Sequence, residues 1–241
     1  MMKKWNFALP LFLGLVGAVL RFLQCRTVFE PDTMLSRPHP ISVLLPIYLV
    51  LCAAFFAARW GRKETALDFD AAFTMPESRQ LTGFVCSAML FVAAGAYTIM
   101  TGLGSGMLVM LLGGGAAVAG ACLFLGIYGW RKENVSGILF LIPVFFSLLW
   151  LFVTYQEYAA WPVVNAYYVQ VFAIAAITYG FYQVSACAYS QGSRRALRVI
   201  LPLAVVLAFT ALGDSAPLAV KGFYLAGLGS LYGFYLCLKN K

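Results

Sequence analysis

The residues of this sequence that could do chemistry are a few charged and hydrogen-bonding side chains set in or beside long apolar runs. Four charges stand at the ends of such runs: Arg21, Glu157, Asp214 and Lys221. None lies at the centre of a run, where a charge costs roughly 2.5–3.5 kcal/mol on membrane-insertion scales. Arg21 closes the first run and is expected to snorkel outward. Asp214 and Lys221 can pair across one turn, and Arg21 can meet Glu157, so the four together predict a polar vestibule on the outer face. A second set lies in the sixth run. Gln170, Thr178, Tyr182 and Gln183, with Ser185, make it the most polar of the runs and the candidate wall of a solute path.

Other chemistries find little in the sequence. The single His39 shares a proline-rich loop with Glu30 and Asp32, in a spacing that matches no metal-ligand pattern. Ser87, Ser147, Ser185 and Ser230 have no evident base, and a nucleophile needs one. Lys221 is too near the end of its run for a Schiff-base lysine with a counter-ion at equal depth. Gly102-Leu103-Gly104-Ser105-Gly106 lacks the Lys and Ser/Thr that complete a phosphate-binding loop. Of the six cysteines, Cys52, Cys86, Cys122, Cys187 and Cys237 fall inside apolar runs and read as small packing residues. The expectation is no cofactor, no metal and, on balance, no enzyme.

The elements that hold these residues follow from composition. The 241 residues are 62% apolar and 11% charged, against roughly 45–50% and about 25% in a soluble domain. A core of this size cannot hide so much apolar surface, so lipid is the natural solvent. In lipid every backbone N–H and C=O needs an internal partner, which leaves helices or closed barrels. The runs are continuous, without the alternation of barrel strands. The reading is all-α: a polytopic transmembrane bundle in one membrane domain, 1–241. About eight spans are expected, at 5–24, 41–58, 81–100, 107–128, 136–155, 166–189, 199–213 and 217–238, each near the 20 residues that cross the hydrocarbon. The seventh is the weakest. The first is expected to stay as a helix, since no small-residue cleavage motif follows it.

The net charge of +8 is spread over short clusters between runs, which does not suit nucleic acid. With the N-terminus inside, all but four of the 17 Lys and Arg (Arg21, Arg26, Arg37 and Lys221) fall on inner segments. The positive-inside rule then places both ends in the cytoplasm and the protein in the cytoplasmic membrane. A shift of 133 residues lays Leu9-Pro10-Leu11-Phe12 on Ile142-Pro143-Val144-Phe145, so 1–130 and 135–241 are candidate repeat halves of parallel orientation. Small residues at helical spacing (Gly113, Gly114 and Ala117 in the fourth span, Gly229 and Gly233 in the eighth) are expected to pack helices closely.

Two local expectations concern the inner loop. Residues 66–73 read as a short interfacial helix with Leu67, Phe69 and Phe73 leaning on lipid. Thr74 and Glu77 match a capping box that would start the third span near Met75. For function, two readings stand: a small permease or channel-like protein for an unspecified solute, and a non-transporting membrane subunit or sensor that binds a protein partner. Besides the bilayer, the partners expected are a small solute, a second copy of the chain or another protein.

Overall fold

The computed structural model describes residues 5–29, 39–60, 66–102, 106–158 and 164–239. The loop residues Glu30, Asp32 and Arg37, the middle of the glycine turn, Trp161, and the basic residues Lys3, Lys4, Arg62, Lys63 and Lys241 lie outside these segments. The described chain is a helical bundle. Its helices are α1 (Trp5–Thr27), α2 (Pro40–Trp60), the one-turn α3 (Phe69–Ala72), α4 (Ser78–Thr101), α5 (Met107–Arg131), α6 (Gly137–Tyr158), α7 (Val164–Ala188), α8 (Arg194–Ala211) and α9 (Leu218–Cys237). The two-residue strands β1 (Ala66–Leu67) and β2 (Gly192–Ser193) complete it.

Among the described residues, six helices are long and apolar enough to cross a membrane: α1, α2, α4, α5, α6 and α7. Two long helices, α8 and α9, fall outside that set. α8 opens on Arg194, Arg195 and Arg198, and α9 dilutes its apolar residues with glycine, tyrosine, serine and Lys221. Both are shielded by the others. α4, α5, α6, α7 and α9 form a closed ring, each packed on the next, and α8 lies against α7 and α9 with α1 and α2 on its far side. Only 22% of the apolar window of α2 is buried against 67% for α7, which separates the rim from the centre. The outer shell carries Phe12, Val50, Met100, Phe145 and Phe172, all exposed, as a lipid-facing surface requires.

The helix at the seventh predicted span is longer than expected. α8 begins at Arg194, five residues before the predicted start, and the Ser193 hydroxyl caps it by accepting from the Ala196 N–H at 3.4 Å. The apolar count missed this turn because it carries arginines, of which Arg198 Nη2 reaches the Lys239 carbonyl at 3.4 Å.

Glycine sets the helix spacing. A Cβ on Gly113 would stand 2.7 Å from the Gly95 carbonyl oxygen, and one on Gly120 would stand 2.6 Å from the Ala88 carbonyl oxygen, so α4 and α5 touch backbone to backbone. Gly233 packs on Phe84 and Gly229 on Ser87, which brings α9 onto the other side of α4. The two glycine-rich helices therefore meet α4 rather than each other. Gly114 points away, with open space where its Cβ would be, and Ala117 is half-buried.

The segment between α2 and α4 corrects two expectations. Leu67, Phe69 and Phe73 are buried in protein and do not lean on lipid. Phe69 stacks on Phe140 at 5.6 Å and meets Trp130 edge-on at 5.1 Å, while Phe73 packs on Phe234 at 5.5 Å. The rings prefer this aromatic cluster because each such pair adds about 0.5–1.5 kcal/mol beyond area burial. The capping box is Glu77 with Gln80, whose Oε1 accepts the Glu77 N–H at 2.8 Å, and α4 starts at Ser78. Thr74 is unavailable to cap, since its N–H and hydroxyl both bond the Cys237 carbonyl, at 2.8 and 3.0 Å. β1 pairs with β2, and Phe73 bridges to Leu238. The loop before α4, the α7–α8 turn and the end of α9 thus meet at one end of the bundle.

The two neighbouring glycines give a test. Gly113→Leu should lower unfolding stability in detergent by about 1–3 kcal/mol, as overpacking does. Gly114→Leu should stay within about 0.5 kcal/mol of the parent. Equal effects from the two would contradict the α4–α5 packing.

Candidate functional site

At the opposite end of the bundle, a polar cluster is buried between α1, α7 and the α8–α9 turn. Its position follows from small residues. A Cβ on Gly14 would stand 2.6 Å from Phe209 Cβ, Gly17 faces the Thr210 hydroxyl, and Gly213 lies on the Ala18 carbonyl. α1 therefore seats directly on the end of α8, and Arg21, one turn past Gly17, is carried against Asp214.

Arg21 is 0% exposed and Asp214 4% exposed. The guanidinium Nε donates to Asp214 Oδ1 at 2.7 Å, Nη2 lies 2.7 Å from the same oxygen, and Nη1 donates to Gln24 Oε1 at 2.7 Å. The Cys25 thiol also donates to Asp214 Oδ1, at 3.5 Å. The guanidinium carbon lies 5.6 Å from the Tyr168 ring centroid and 5.8 Å from that of Phe29, within cation–π range. Burial pushes the Asp214 carboxyl above its ordinary range, while the Arg21 charge and the nearby Cys25 and Gln170 side chains pull it down. The remaining polar groups of the cluster face one another, Tyr168 beside Gln24 and Gln170 beside Asp214.

The structure regroups the predicted vestibule. Arg21 and Asp214 come together, deeply buried and with no route for Arg21 to snorkel. Glu157 is exposed at the end of α6 and Lys221 is half-buried in the first turn of α9; neither joins the pair. The α7 residues also divide. Gln170 is buried beside Asp214. Thr178 is half-buried and bonds the Ile174 carbonyl of its own helix at 2.8 Å. Gln183 is buried with Oε1 unpartnered, and Tyr182 is exposed, stacked on Tyr179 at 6.1 Å. Gln24 is the member of the cluster that reading for charge missed. A glutamine one turn after a buried arginine was the available signal.

The inside of the ring is aromatic. Toward the Arg21 end, Trp150 meets Tyr224 at 4.7 Å and Phe223 at 5.5 Å, Phe223 meets Phe146 at 5.3 Å, and Phe146 meets Phe91 at 5.7 Å. Toward the other end, Phe84 and Trp130 close on Phe234, at 4.8 and 6.0 Å. Among the described residues, no group of three or more His, Cys, Asp or Glu is placed to hold a metal ion.

What the Arg21–Asp214 pair can do is lock α1 to the α8–α9 turn. Removing one partner of a buried pair strands the other charge and costs about 3–5 kcal/mol, whereas replacing both with apolar residues is often near neutral. Arg21→Met and Asp214→Leu should each cost stability in that range, and the double variant should recover most of it. Additive losses in a thermal-unfolding cycle would show that the two residues are not coupled. Comparison with protein-family models, with curated proteins and with solved structures finds no match for this chain, so its geometry alone carries the functional reading.

Proposed function

We propose that the chain is an eight-span protein of the cytoplasmic membrane, with both ends inside, that acts as a membrane-embedded binding subunit or sensor and does not conduct a solute. The observation that carries this reading is the aromatic filling of the ring formed by α4, α5, α6, α7 and α9. A solute path needs hydrogen-bonding groups around a wet cavity near the midplane. Here the space between the helices is occupied by Phe91, Phe146, Phe181, Phe223 and Trp150, all buried. The hydroxyl of Thr178 is spent within its own helix, and Tyr179 and Tyr182 lie on the outer surface.

The orientation is supported by which charges share an end. Arg79, Arg131, Lys132, Arg194, Arg195, Arg198 and Lys239 lie at the end where β1 meets β2. That basic end suits the cytoplasmic face. It also offers the surface for a partner: the exposed Asp70, Thr74, Met75 and Glu133 and the half-buried Lys239 line a cleft of about 500 Å³ of mixed charge. α8 and α9 cross the membrane in this reading because Arg194 and Asp214 mark opposite ends of α8.

Cysteines placed one at a time at Gln183, Thr178 and Lys132, in a background with the native cysteines replaced, test the reading. In sealed vesicles, a membrane-impermeant thiol reagent should modify Lys132→Cys from the inner side only. It should leave Gln183→Cys and Thr178→Cys unmodified from either side. Modification of the α7 positions by the aqueous reagent would establish a wet path and restore the permease reading. Modification of Lys132→Cys from outside would reverse the orientation.

A further inference from the structure

α7 is the most enclosed of the six helices able to cross a membrane, and what it leaves uncovered is narrow. Between Phe172 and Ala186 the residues that are not buried are Phe172, Ala175, Thr178, Tyr179, Tyr182 and Ala186. The Thr178 hydroxyl bonds the Ile174 carbonyl of its own helix. The other five recur at intervals of three, four, three and four residues, which is the spacing of a seam between two helices. Such a seam stays in contact along its length when the second helix crosses at about +20°.

This seam is polar where lipid calls for hydrocarbon. The other exposed tyrosines of the described chain stand near helix ends: Tyr97 in α4, Tyr128 in α5, Tyr155 in α6 and Tyr189 just after α7. That is the headgroup level, where a ring sits in lipid and its hydroxyl in water. Tyr179 and Tyr182 lie deeper, about 14 and about 9 Å from the inner end of α7 at 1.5 Å per residue. They are 45% and 48% exposed, and their rings stack on each other at 6.1 Å. Neither hydroxyl has a partner among the described residues, and a hydroxyl left unpaired in hydrocarbon is strongly disfavoured. The uncovered face of α2 makes the contrast: Val43, Leu44, Ile47, Val50 and Leu51 ask for nothing but lipid.

We propose that this face of α7 is the contact between two copies of the chain. Copies in one membrane share an orientation, so a two-fold axis along the membrane normal sets α7 beside the α7 of the second copy, parallel and in register. Each residue of the seam then meets its own kind. A phenol suits that pairing because its hydroxyl both donates and accepts. The hydroxyls of Tyr179 and Tyr182 close on those of the second copy, and Ala175 and Ala186, one layer to either side, let the two backbones approach. An unrelated helix would have to carry matching polar groups at both depths, whereas a second copy brings them by symmetry. The proposal rests on α7 spanning the membrane and is independent of the filled ring.

The test uses the full chain in phosphatidylcholine vesicles. With the native cysteines replaced, Ala175→Cys and Ala186→Cys, one at a time, should each give a disulfide-linked dimer on oxidation with copper phenanthroline. Val50→Cys on α2 and Ala93→Cys on α4, both on exposed faces, should stay monomeric. In the chain with its own cysteines, Tyr179→Phe combined with Tyr182→Phe keeps the rings and removes the hydroxyls. It should weaken dimerisation about tenfold, read by energy transfer between labelled copies as lipid dilutes them, with the thermal-unfolding midpoint of the monomer unchanged. If that variant fails to fold, the four cysteine positions decide alone. Equal crosslinking at all four, or a chain that is monomeric at every dilution because another protein covers α7, would overturn the proposal. So would a dimer that the two phenylalanines leave unchanged. None of these outcomes bears on aqueous access to Gln183 and Lys132, so the two readings fail separately.

Discussion

A guanidinium buried out of reach of water must be matched by a carboxylate, and in this bundle the match comes from the far end of the sequence. Arg21 and Asp214 are 193 residues apart. Their contact holds only because Gly14, Gly17 and Gly213 let α1 lie directly on the end of α8. The glycines would be a weak attraction alone, since lipid supplies no hydrophobic drive between helices. The ion pair would be badly placed without them. Each requires the other, and together they fix where α7 brings Tyr168 and Gln170 and where the α8–α9 turn sits.

The arrangement of helices by polarity follows from the same solvent. A soluble protein turns its apolar surfaces inward, and this bundle turns many of them outward. α8 and α9, rich in arginine, glycine, tyrosine and serine, are wrapped by helices that can face hydrocarbon. The ring that α9 closes is then filled by aromatic side chains, whose flat faces occupy the space that glycine-spaced helices leave. Cores pack near crystal density, and here that density is reached with rings instead of branched aliphatics.

Sequence reading recovers what depends on local composition. The runs of apolar residues are long and unbroken, so helical class and most helix positions were legible without any long-range information. What it missed depends on contacts between distant segments. Lys221 is seven residues from Asp214 and looked like its partner, but Arg21 reaches Asp214 through helix packing that no spacing reveals. The phenylalanines at 69 and 73 have the pattern of an interfacial helix; their burial is decided by Trp130, Phe140 and Phe234, which come from three other helices. Thr74 and Glu77 fit a cap by spacing alone, and Thr74 is diverted by the Cys237 carbonyl at the chain's end. The polarity of α7 was visible from sequence, but which of its faces turns inward was not: Gln170 and Gln183 point in, whereas Tyr179 and Tyr182 point out.

The separation of Arg21 from Asp214 has a consequence for how the chain is made. Synthesis proceeds at roughly 5–20 residues per second, so the arginine leaves the ribosome about ten to forty seconds before its carboxylate exists. Through that interval α1 enters the bilayer carrying an unmatched charge. Its last turn can rest at the headgroup level until the final hairpin arrives. The seal at the other end is equally late, because the segment before α4 closes on Leu238 and Lys239, which follow α9. Both ends of the bundle are thus locked by the same α8–α9 hairpin, and a chain that lacked it would be inserted but unfastened.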